Sequence, residues 1–281
     1  MKMMEIRKNK NKIFYIEITT KCNLKCPFCP SSNQHDVQFM EETVFQSIIN
    51  QIEDDAQLIY FHVLGEPTLH PKFRRFLEIV SKKKIPIGIT TNGTTIDQID
   101  EDILKHIPIQ KINISLQCLI AFHEENIQYY LEHLRYFLER KEKYQPQLAV
   151  NLRLWNDKSN PQVCLLNQRL KEEFDKWDIA HYTYVRIAEA DEFEWPTLNG
   201  KVVQSSNCLG GKKQLAILHD GRVVLCCLDY QGCTCIGNIL IQPYKEIITS
   251  QVYQKAIEGF CSQKPYFELC KGCSYRTRFK T

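Results

Sequence analysis

The chain has 281 residues, 13 of which are cysteine, and its 36 Lys and Arg residues against 33 Asp and Glu residues give a net charge of +3. This length fits one large domain, or one domain with a small second one, and 43% hydrophobic with 25% charged residues excludes a wholly disordered chain. The nearly balanced charge argues against a surface specialised for nucleic acids or membranes.

Short β-rich runs alternate with amphipathic helical patterns from residue 12 to about residue 187. Rich in Ile, Val, Tyr and Phe, the predicted strands are 13–18, 58–63, 85–90, 111–116, 148–155 and 182–187. The predicted helices are 41–53, 72–84, 99–106, 124–144 and about 163–177. Six βα units favour a parallel sheet but are too few for a closed eight-stranded barrel. We therefore predict an α/β fold, a partial (β/α)6 TIM-like barrel, with its chemistry in the loops after the strands.

The pattern changes after Trp195-Pro196. Residues 197–207 are polar and contain Asn-Gly, which is typical of an exposed linker. The β-rich runs 214–218 and 222–226 flank an Asp-Gly turn and predict a hairpin, and a helical pattern over roughly 244–260 precedes a cysteine-rich tail. We predict one domain at residues 1–196 and a small β-hairpin-plus-helix domain at 197–281, which needs a covalent or metal staple to be stable.

The cysteines are the unusual feature of the composition. Residues 1–12 are charged and lack the apolar core of a secretory signal, and no apolar run approaches the length of a membrane span. In a reducing compartment disulfides are rare, and clustered thiols are more often metal ligands. We therefore expect a cytoplasmic protein without membrane association, whose cysteines are grouped by ligand spacing.

The first group of cysteines, Cys22-x3-Cys26-x2-Cys29, directly follows the first predicted strand. Three thiolates at this spacing can hold three irons of a [4Fe–4S] cluster and leave the fourth open to a non-protein ligand. A zinc site is the alternative, but it usually needs four ligands, and the nearest further candidate is His35.

The second group lies in the small C-terminal domain and provides four thiolates, enough for a complete site. Its members are Cys208, Cys226, Cys270 and Cys273. A hairpin with a C-x2-C pair also builds zinc ribbons, so iron–sulfur and zinc both remain open from the spacing. The six remaining cysteines are Cys118, Cys164, Cys227, Cys233, Cys235 and Cys261. Cys164 is expected to be buried in a helix.

The order of motifs along the barrel resembles the radical S-adenosylmethionine (SAM) superfamily. Phe28 occupies the aromatic position of the three-cysteine motif, and Leu64-Gly65-Glu66-Pro67 after the second strand is similar to the family's Gly-Gly-Glu-Pro turn, with Leu64 replacing the first glycine. Thr91-Asn92-Gly93 follows the third strand, Ser115-Leu116-Gln117 ends the fourth, and Arg153 lies in the fifth.

This resemblance implies that Cys22, Cys26 and Cys29 hold a [4Fe–4S] cluster whose open iron binds SAM. Reductive cleavage of SAM then gives a 5′-deoxyadenosyl radical that abstracts a substrate hydrogen atom, which requires an electron donor such as flavodoxin or ferredoxin. The residues implied in cofactor binding are Phe28, Gly65, Glu66, Pro67, Thr91, Asn92, Ser115, Gln117 and Arg153.

The C-terminal segment resembles the shortened SPASM domain called the twitch domain, which holds one auxiliary [4Fe–4S] cluster. Its four cysteines are arranged similarly to those of 2-deoxy-scyllo-inosamine dehydrogenases, which are SAM-radical alcohol oxidases. The resemblance implies a second cluster on these four cysteines that relays an electron during oxidation of a small polar molecule or a side chain. Asp229 and Arg153 are the candidate catalytic residues; Asp229 either orients a substrate hydroxyl or amine, or belongs to a solvated loop.

Two other functions remain open. The first is a maturase that epimerises or cross-links a ribosomal peptide or another macromolecule, with a spare cysteine as hydrogen donor; the residues before the first strand are too few for a leader-binding domain. The second is nucleic-acid modification, which would use the basic tail of Lys271, Arg276, Arg278 and Lys280. Four charges give only modest, salt-sensitive affinity, so nucleic acid is not the expected partner.

Overall fold

The computed structural model of the protein describes residues 10–33, 36–157, 159–203 and 208–279, so that His35 and Lys280 lie outside the described residues. The strands within these ranges are β1 (Lys12–Ile16), β2 (Ala56–Tyr60), β3 (Ile87–Thr91), β4 (Ile109–Ser115), β5 (Ala149–Asn156), β6 (Val185–Asp191), β7 (Gln214–Ile217), β8 (Arg222–Val224) and β9 (Cys235–Asn238). They form a single sheet in the order β6-β5-β4-β3-β2-β1-β7-β8-β9. The first six strands are parallel and do not close on themselves, which confirms the partial (β/α)6 barrel.

The helices of the described ranges are α1 (Glu42–Ile52), α2 (Phe73–Lys82), α3 (Glu101–His106), α4 (Glu124–Tyr144), α5 (Pro161–Lys176), α6 (Tyr244–Ile247), α7 (Gln251–Cys261) and α8 (Glu268–Lys271). Local sequence sets several of their ends. The side chain of Asp100 accepts a hydrogen bond from the N–H of Ile103 at the start of α3, and Asn160 caps α5 in the same way, with Pro161 as its first residue. No helix in these ranges is both long and apolar enough to cross a bilayer.

The helical pattern at 244–260 forms two helices rather than one. The chain leaves the helical path after α6, and Ser250 then caps α7 by accepting a hydrogen bond from the N–H of Tyr253 at 3.2 Å. A serine that can bond the backbone ahead of it favours a new N-terminus over a continuous helix. Strand β9 was also missed, because it is short and contains Gly237.

The C-terminal hairpin is joined directly to the barrel sheet. Strand β7 lies parallel to β1, with Ile13 opposite Gln214 and Ile16 opposite Ile217, and β8 and β9 follow as antiparallel neighbours. The side chain of Lys12 strengthens this junction from a buried position, because its Nζ donates to the carbonyl oxygen of Gly211 at 3.0 Å. Both predicted domains therefore contribute to one sheet, and the boundary at 196/197 stays a prediction.

The inner face of the barrel carries a ladder of polar side chains. The amide of Asn113 donates to Thr90 at 3.2 Å, the amide of Asn151 donates to Asn113 at 2.7 Å, and Nε of Arg186 donates to Asn151 at 2.6 Å. These residues lie opposite one another in neighbouring strands, so their side chains point to the same face of the sheet. Arg153, two positions after Asn151 in β5, shares that face.

Candidate active site

One cavity of about 460 Å³ runs along the inner face of the barrel. Cys22, Cys26 and Cys29 border it after the carboxyl end of β1. Cys226 borders it elsewhere, next to Gln214 at the amino end of β7. Both groups of cysteines therefore reach the same space, but from opposite ends of the strands. This corrects the expectation that all of the chemistry gathers in the loops after the strands.

The first cysteine group forms a compact loop. The N–H of Cys29 donates to the carbonyl oxygen of Cys26 at 3.0 Å, and the Phe28 ring between them packs on Trp155 at a centroid distance of 4.4 Å. Burial, together with the neighbouring thiols of Cys29 and Cys22, raises the pKa of the Cys26 thiol to about 12. Burial also raises the pKa of Cys22, against hydrogen bonds that lower it. Such thiols lose their protons when a metal binds them.

Glu66 is the centre of the hydrogen-bond network beside this loop. Its carboxylate is 1% exposed, and Oε1 accepts from the hydroxyls of Thr68 at 2.7 Å and Thr91 at 2.8 Å, while Oε2 accepts from the N–H of Asn92 at 2.6 Å. Burial raises the pKa of this carboxyl, and the hydrogen bonds oppose that shift. The side chain of Glu66 thus fixes the turn after β3 to the turn after β2.

Gly65 and Pro67 give the turn after β2 its shape. Gly65 has a φ of +73°, and a Cβ there would lie 2.3 Å from the carbonyl oxygen of Thr19 in the segment leading to Cys22, so only glycine fits. Pro67 begins a short 3₁₀ turn and is buried beneath the cavity wall rather than bordering it.

Asn92 connects the turn after β3 with the first cysteine group. Its side-chain amide donates to the Cys22 sulfur at 3.8 Å and to Asn23 at 3.0 Å. The backbone carbonyl oxygen of Asn92 accepts from the Tyr130 hydroxyl at 3.0 Å. A Cβ on the following residue, Gly93, would lie 2.2 Å from that hydroxyl, which explains the Thr-Asn-Gly sequence. An amide close to a thiolate is a typical outer contact of a metal–sulfur site.

Ser115, Gln117 and Arg153 line the opposite wall of the cavity. Oε1 of Gln117 is buried and has no hydrogen-bond partner in the described residues. Arg153 is the only Lys or Arg among the described residues that line the cavity, and its guanidinium forms no hydrogen bond or ion pair with the described residues. An unpaired cation and an unsatisfied amide oxygen fit a ligand that carries both a carboxylate and hydroxyl or amino groups, as SAM does.

The second cysteine group gathers beside the hairpin. Burial, together with the thiols of Cys226 and Cys273, raises the pKa of Cys208 to about 11. Burial likewise raises the pKa of Cys270, with contributions from the other three thiols. The Cys226 sulfur accepts hydrogen bonds from Gln214 at 3.3 Å and from the N–H of Leu228 at 3.4 Å. Four thiols that act on one another fit a four-thiolate cluster.

In the described residues, neither cysteine group is arranged to hold a single metal ion. Within the residues that the structure describes, no three His, Cys, Asp or Glu side chains are arranged to hold one metal ion.

The structure places Asp229, a predicted catalytic residue, away from the cavity. Its carboxylate is 2% exposed and does not border the cavity. Oδ1 accepts from the N–H groups of Gly232 and Cys233 at 2.9 Å, and Oδ2 accepts from the N–H and hydroxyl of Thr234 at 2.5 and 2.6 Å. These four bonds use the acceptor capacity of the carboxylate, so Asp229 holds the loop after Cys226 in shape.

Among the spare cysteines, Cys118 and Cys227 border the cavity. Cys118 is 3% exposed, and its sulfur lies 3.4 Å from the carbonyl oxygen of Asn92. Cys164, which we expected to be buried, is exposed on α5, because it lies to the side of the helix face that carries the buried Leu170 and Phe174.

An aromatic cluster that includes His62 was missed by the sequence analysis. The rings of Tyr15 and Tyr60 stack at 5.2 Å, and both meet the His62 ring edge-on at 5.3 and 5.5 Å. Burial lowers the pKa of His62 to about 3, assisted by the charge of Arg153, and Nδ1 has no partner in the described part of the chain. His62 is thus a neutral imidazole that faces the cavity. The sequence signal that could have identified His62 is its position two residues before Leu64, at the start of the turn after β2.

Family models match both halves of the chain. The model of the radical SAM superfamily matches residues 16–140, which include Cys22, Cys26 and Cys29. The model of the SPASM iron–sulfur cluster-binding domain matches residues 208–274, which include the second cysteine group. Together the two matches cover more than half of the chain.

Characterised relatives match over shorter segments. A tungsten-containing aldehyde ferredoxin oxidoreductase cofactor-modifying protein of Pyrococcus furiosus is 35% identical over 99 residues, which are 34% of this chain and 27% of the relative. A GTP 3′,8-cyclase of Campylobacter jejuni is 31% identical over 111 residues, 37% of this chain and 34% of the relative. The matched segments thus span only about a third of the length of these relatives.

Solved structures share the fold over nearly the whole chain. BtrN in complex with AdoMet and 2-DOIA superposes with a TM-score of 0.65 at 18% identity, covering 94% of this chain and 93% of BtrN. SuiB of Streptococcus suis bound to S-adenosylmethionine gives 0.62 at 15% identity, covering 97% of this chain and 77% of SuiB. The chain therefore combines a radical SAM domain at residues 16–140 with a SPASM iron–sulfur cluster-binding domain at residues 208–274, and the cofactors of these two domains are SAM, a SAM-binding [4Fe–4S] cluster and an auxiliary [4Fe–4S] cluster.

Proposed function

We propose that the protein is an oxidoreductase that dehydrogenates a small polar molecule or a side chain. The observation that carries this proposal is a cavity bordered by the first cysteine group and by Cys226 of the second. A substrate in that cavity lies between a site where hydrogen is removed and a site that accepts an electron. BtrN, which is covered to 93% by 94% of this chain, is a fold neighbour and supports the architecture alone.

We assign the SAM-binding cluster to Cys22, Cys26 and Cys29, and the auxiliary cluster to the second cysteine group. When bound, these groups would supply reductive cleavage of SAM to a 5′-deoxyadenosyl radical, abstraction of one hydrogen atom from the substrate, and uptake of one electron from the substrate radical, which releases its proton to water. Because all four thiolates of the second group are protein ligands, that cluster has no open position for substrate, which favours electron acceptance over substrate ligation.

The chain's own side chains hold and orient the ligands. Arg153 binds a carboxylate, because it is the unpaired cation of the cavity. Gln117 and Ser115 accept or donate hydrogen bonds to ribose or amino groups, and the backbone of Gly65 supplies contacts beside the cluster loop. His62 accepts a hydrogen bond from a substrate hydroxyl or amine at Nδ1. With a pKa of about 3 it orients that group rather than removing its proton at neutral pH.

The implied partner is a reductant. A flavodoxin or ferredoxin in a reducing cytoplasm fits the need for one electron per SAM cleaved, and the substrate is a small polar molecule or a peptide side chain.

Iron content and product analysis together test the proposal. Anaerobically reconstituted protein should contain about eight iron and eight sulfide, and Cys270→Ala should lower each to about four. The variant should still form 5′-deoxyadenosine but lose the oxidised product. Wild-type protein with about four iron and one zinc would contradict the auxiliary-cluster assignment. Oxidised product at the wild-type rate from Cys270→Ala protein would contradict the electron-acceptor role.

Peptide maturation is the second candidate, because the thiols of Cys227 and Cys118 border the cavity. A redox-neutral epimerase returns a hydrogen atom to its substrate radical, and a thiol inside the cavity can supply it. Turnover in deuterated water should then place deuterium in the product, and Cys227→Ala should abolish the incorporation while SAM cleavage persists. An oxidised product without deuterium favours the dehydrogenase instead.

A further inference from the structure

Arg276 lies inside the C-terminal domain, although the sequence suggests a basic tail. Its side chain is 2% exposed, and Nη2 donates to the carbonyl oxygen of Val203 at 3.0 Å. Nε and Nη1 are buried and have no hydrogen-bond partner in the described ranges. No acidic side chain of those ranges forms an ion pair with it. A guanidinium stays protonated in proteins, so this is a buried charge with two unused donors.

Arg276 lies one turn after Cys273 of the second cysteine group, and its backbone N–H donates to the carbonyl oxygen of Cys273 at 3.4 Å. Burial raises the pKa of both Cys208 and Cys273, and the charge of Arg276 opposes the rise in each. Leaving a buried cation uncompensated is strongly unfavourable. An anionic group held by these cysteines would compensate the charge of Arg276.

We propose that Arg276 is a positioning residue for the auxiliary cluster. Its two unpartnered nitrogens, Nε and Nη1, donate hydrogen bonds to cluster or cysteine sulfur, and its positive charge raises the reduction potential of the cluster. The inference rests on the proposed function for the ligands Cys208, Cys226, Cys270 and Cys273, and it goes beyond that function.

The physical reason is the charge of the cluster. A cluster with four thiolate ligands is an anion, and reduction adds another negative charge. A fixed neighbouring cation and N–H donors to sulfur stabilise the reduced form more than the oxidised form. Arg276 would thus favour movement of an electron from the substrate to the cluster.

Arg276 affects the cluster without touching the substrate. The preceding residue, Tyr275, borders the cavity, whereas Arg276 does not. Both belong to the 3₁₀ turn Ser274–Arg278, which begins directly after the ligand Cys273. Substitution of Arg276 should therefore change the potential of the cluster and leave SAM binding intact.

The test is a redox titration monitored by electron paramagnetic resonance on full-length protein in which Cys22, Cys26 and Cys29 are alanine, so that only the auxiliary cluster forms. Arg276→Gln should lower the midpoint potential enough to reduce the equilibrium ratio of reduced to oxidised cluster at least tenfold, which is about 59 mV for one electron. Arg276→Lys keeps the charge and should shift it less. Arg278→Gln, an exposed change in the same turn, should leave it unchanged.

Iron content separates the possible failures. If the background protein binds no iron, the ligand assignment of the proposed function fails. If Arg276→Gln carries about four iron with an unchanged potential, the inference alone is overturned. Loss of iron in Arg276→Gln but not in Arg276→Lys supports it, because the charge is then needed to hold the anion. Unfolding of every Arg276 variant, by circular dichroism, assigns the residue to the fold and overturns the inference.

Discussion

The backbone N–H of Asn92 donates a 2.6 Å hydrogen bond to Oε2 of Glu66, and both residues are shielded from solvent. Through this bond the turn after β2 positions the turn after β3, and the amide of Asn92 in turn reaches the sulfur of Cys22. The acidic residue of the Gly-Glu-Pro turn thus organises the wall of the site with its side chain. Its backbone is held as well, because the N–H donates to the carbonyl oxygen of Lys21 at 2.7 Å and the carbonyl oxygen accepts from the N–H of Leu69 at 3.1 Å.

Replacing Glu66 with Gln should therefore weaken both the fold and SAM binding. Each carboxylate oxygen accepts from N–H or hydroxyl donors, so the amide NH₂ group of Gln faces a donor and leaves buried groups unsatisfied, at a cost of about 1–3 kcal/mol. Urea unfolding measures the stability, and equilibrium dialysis of reconstituted protein measures SAM affinity. Glu78→Gln, in an exposed ion pair with Arg75, is the control. Unchanged values for Glu66→Gln would show that the network is dispensable.

Substitution of His62 and substitution of His70 should change the thermal stability in opposite directions. His62 has an unpartnered buried nitrogen, whereas His70 is bonded at both nitrogens, to the carbonyl oxygen of Met40 at 3.1 Å and the N–H of Lys72 at 3.0 Å. His62→Phe should raise the thermal midpoint by about 2 °C, since it removes about 1 kcal/mol of unsatisfied polarity, and should reduce product formation. His70→Phe should lower the midpoint.

Scanning calorimetry of the cofactor-free variants gives the midpoints, and product analysis of the reconstituted ones gives the activity. A lower midpoint in His62→Phe, or unchanged turnover, would remove the argument that this imidazole is kept in the cavity to bind substrate.

Asp229→Asn distinguishes a loop residue from a catalytic one. Two of the donors that Asp229 accepts from belong to Thr234, at 2.5 and 2.6 Å, and an amide NH₂ group would oppose such donors. The loop after Cys226 should lose its shape, so the variant should lose about half of its iron while SAM cleavage continues. Iron and 5′-deoxyadenosine assays check this. A variant with full iron and stability but no turnover would restore the catalytic role.

The contact between His219 and Glu17 should make stability depend on pH. Nδ1 of His219 lies 2.8 Å from Oε2 of the buried Glu17, and this hydrogen bond raises the pKa of His219. A raised folded-state pKa means that the contribution is complete below the ordinary value of about 6.5 and is lost as pH rises through the folded-state value. The expected contribution is roughly 1–2 kcal/mol.

The thermal midpoint of wild-type protein should exceed that of His219→Gln by several degrees at pH 5.5–6, and the difference should shrink toward pH 9. His123→Gln, an exposed change, should show no such trend. A constant difference between wild type and His219→Gln across this range would show that the ring is not charged in the folded protein.

Periodicity was sufficient for the barrel because strands β1 to β5 carry buried apolar residues and the helices that cover them have an apolar face; β6 has no buried residue and was identified by its β-rich composition. The motif positions after the strands also followed from the sequence, since parallel strands bring their ends to one edge. Neither the periodicity nor the motif positions show which strands pair beyond the barrel. Pairing of β7 with β1 depends on a contact between residues about 200 positions apart, which one sequence does not encode locally.

Burial of individual polar residues was the other limit. Local composition places Asp229 in a loop and Arg276 in a tail, yet both side chains are buried. Asp229 accepts hydrogen bonds from four donors in its own loop, and Arg276 lies near the thiols of the second cysteine group. Cys164 shows the converse, because a free cysteine on an amphipathic helix takes whichever face the register gives it. These outcomes depend on tertiary packing and not on residue type.

The pairing of β7 with β1 also fixes the distance between the two cysteine groups. Gln214, which bonds the Cys226 sulfur, lies opposite Ile13, and the loop of Cys22 starts beyond the other end of β1. Five residues at about 3.3 Å each make β1 roughly 15 Å long. The distance across which an electron would travel is therefore set by backbone geometry, which side-chain changes leave untouched. Substrate preference can then vary through the cavity walls while the electron-transfer distance stays constant.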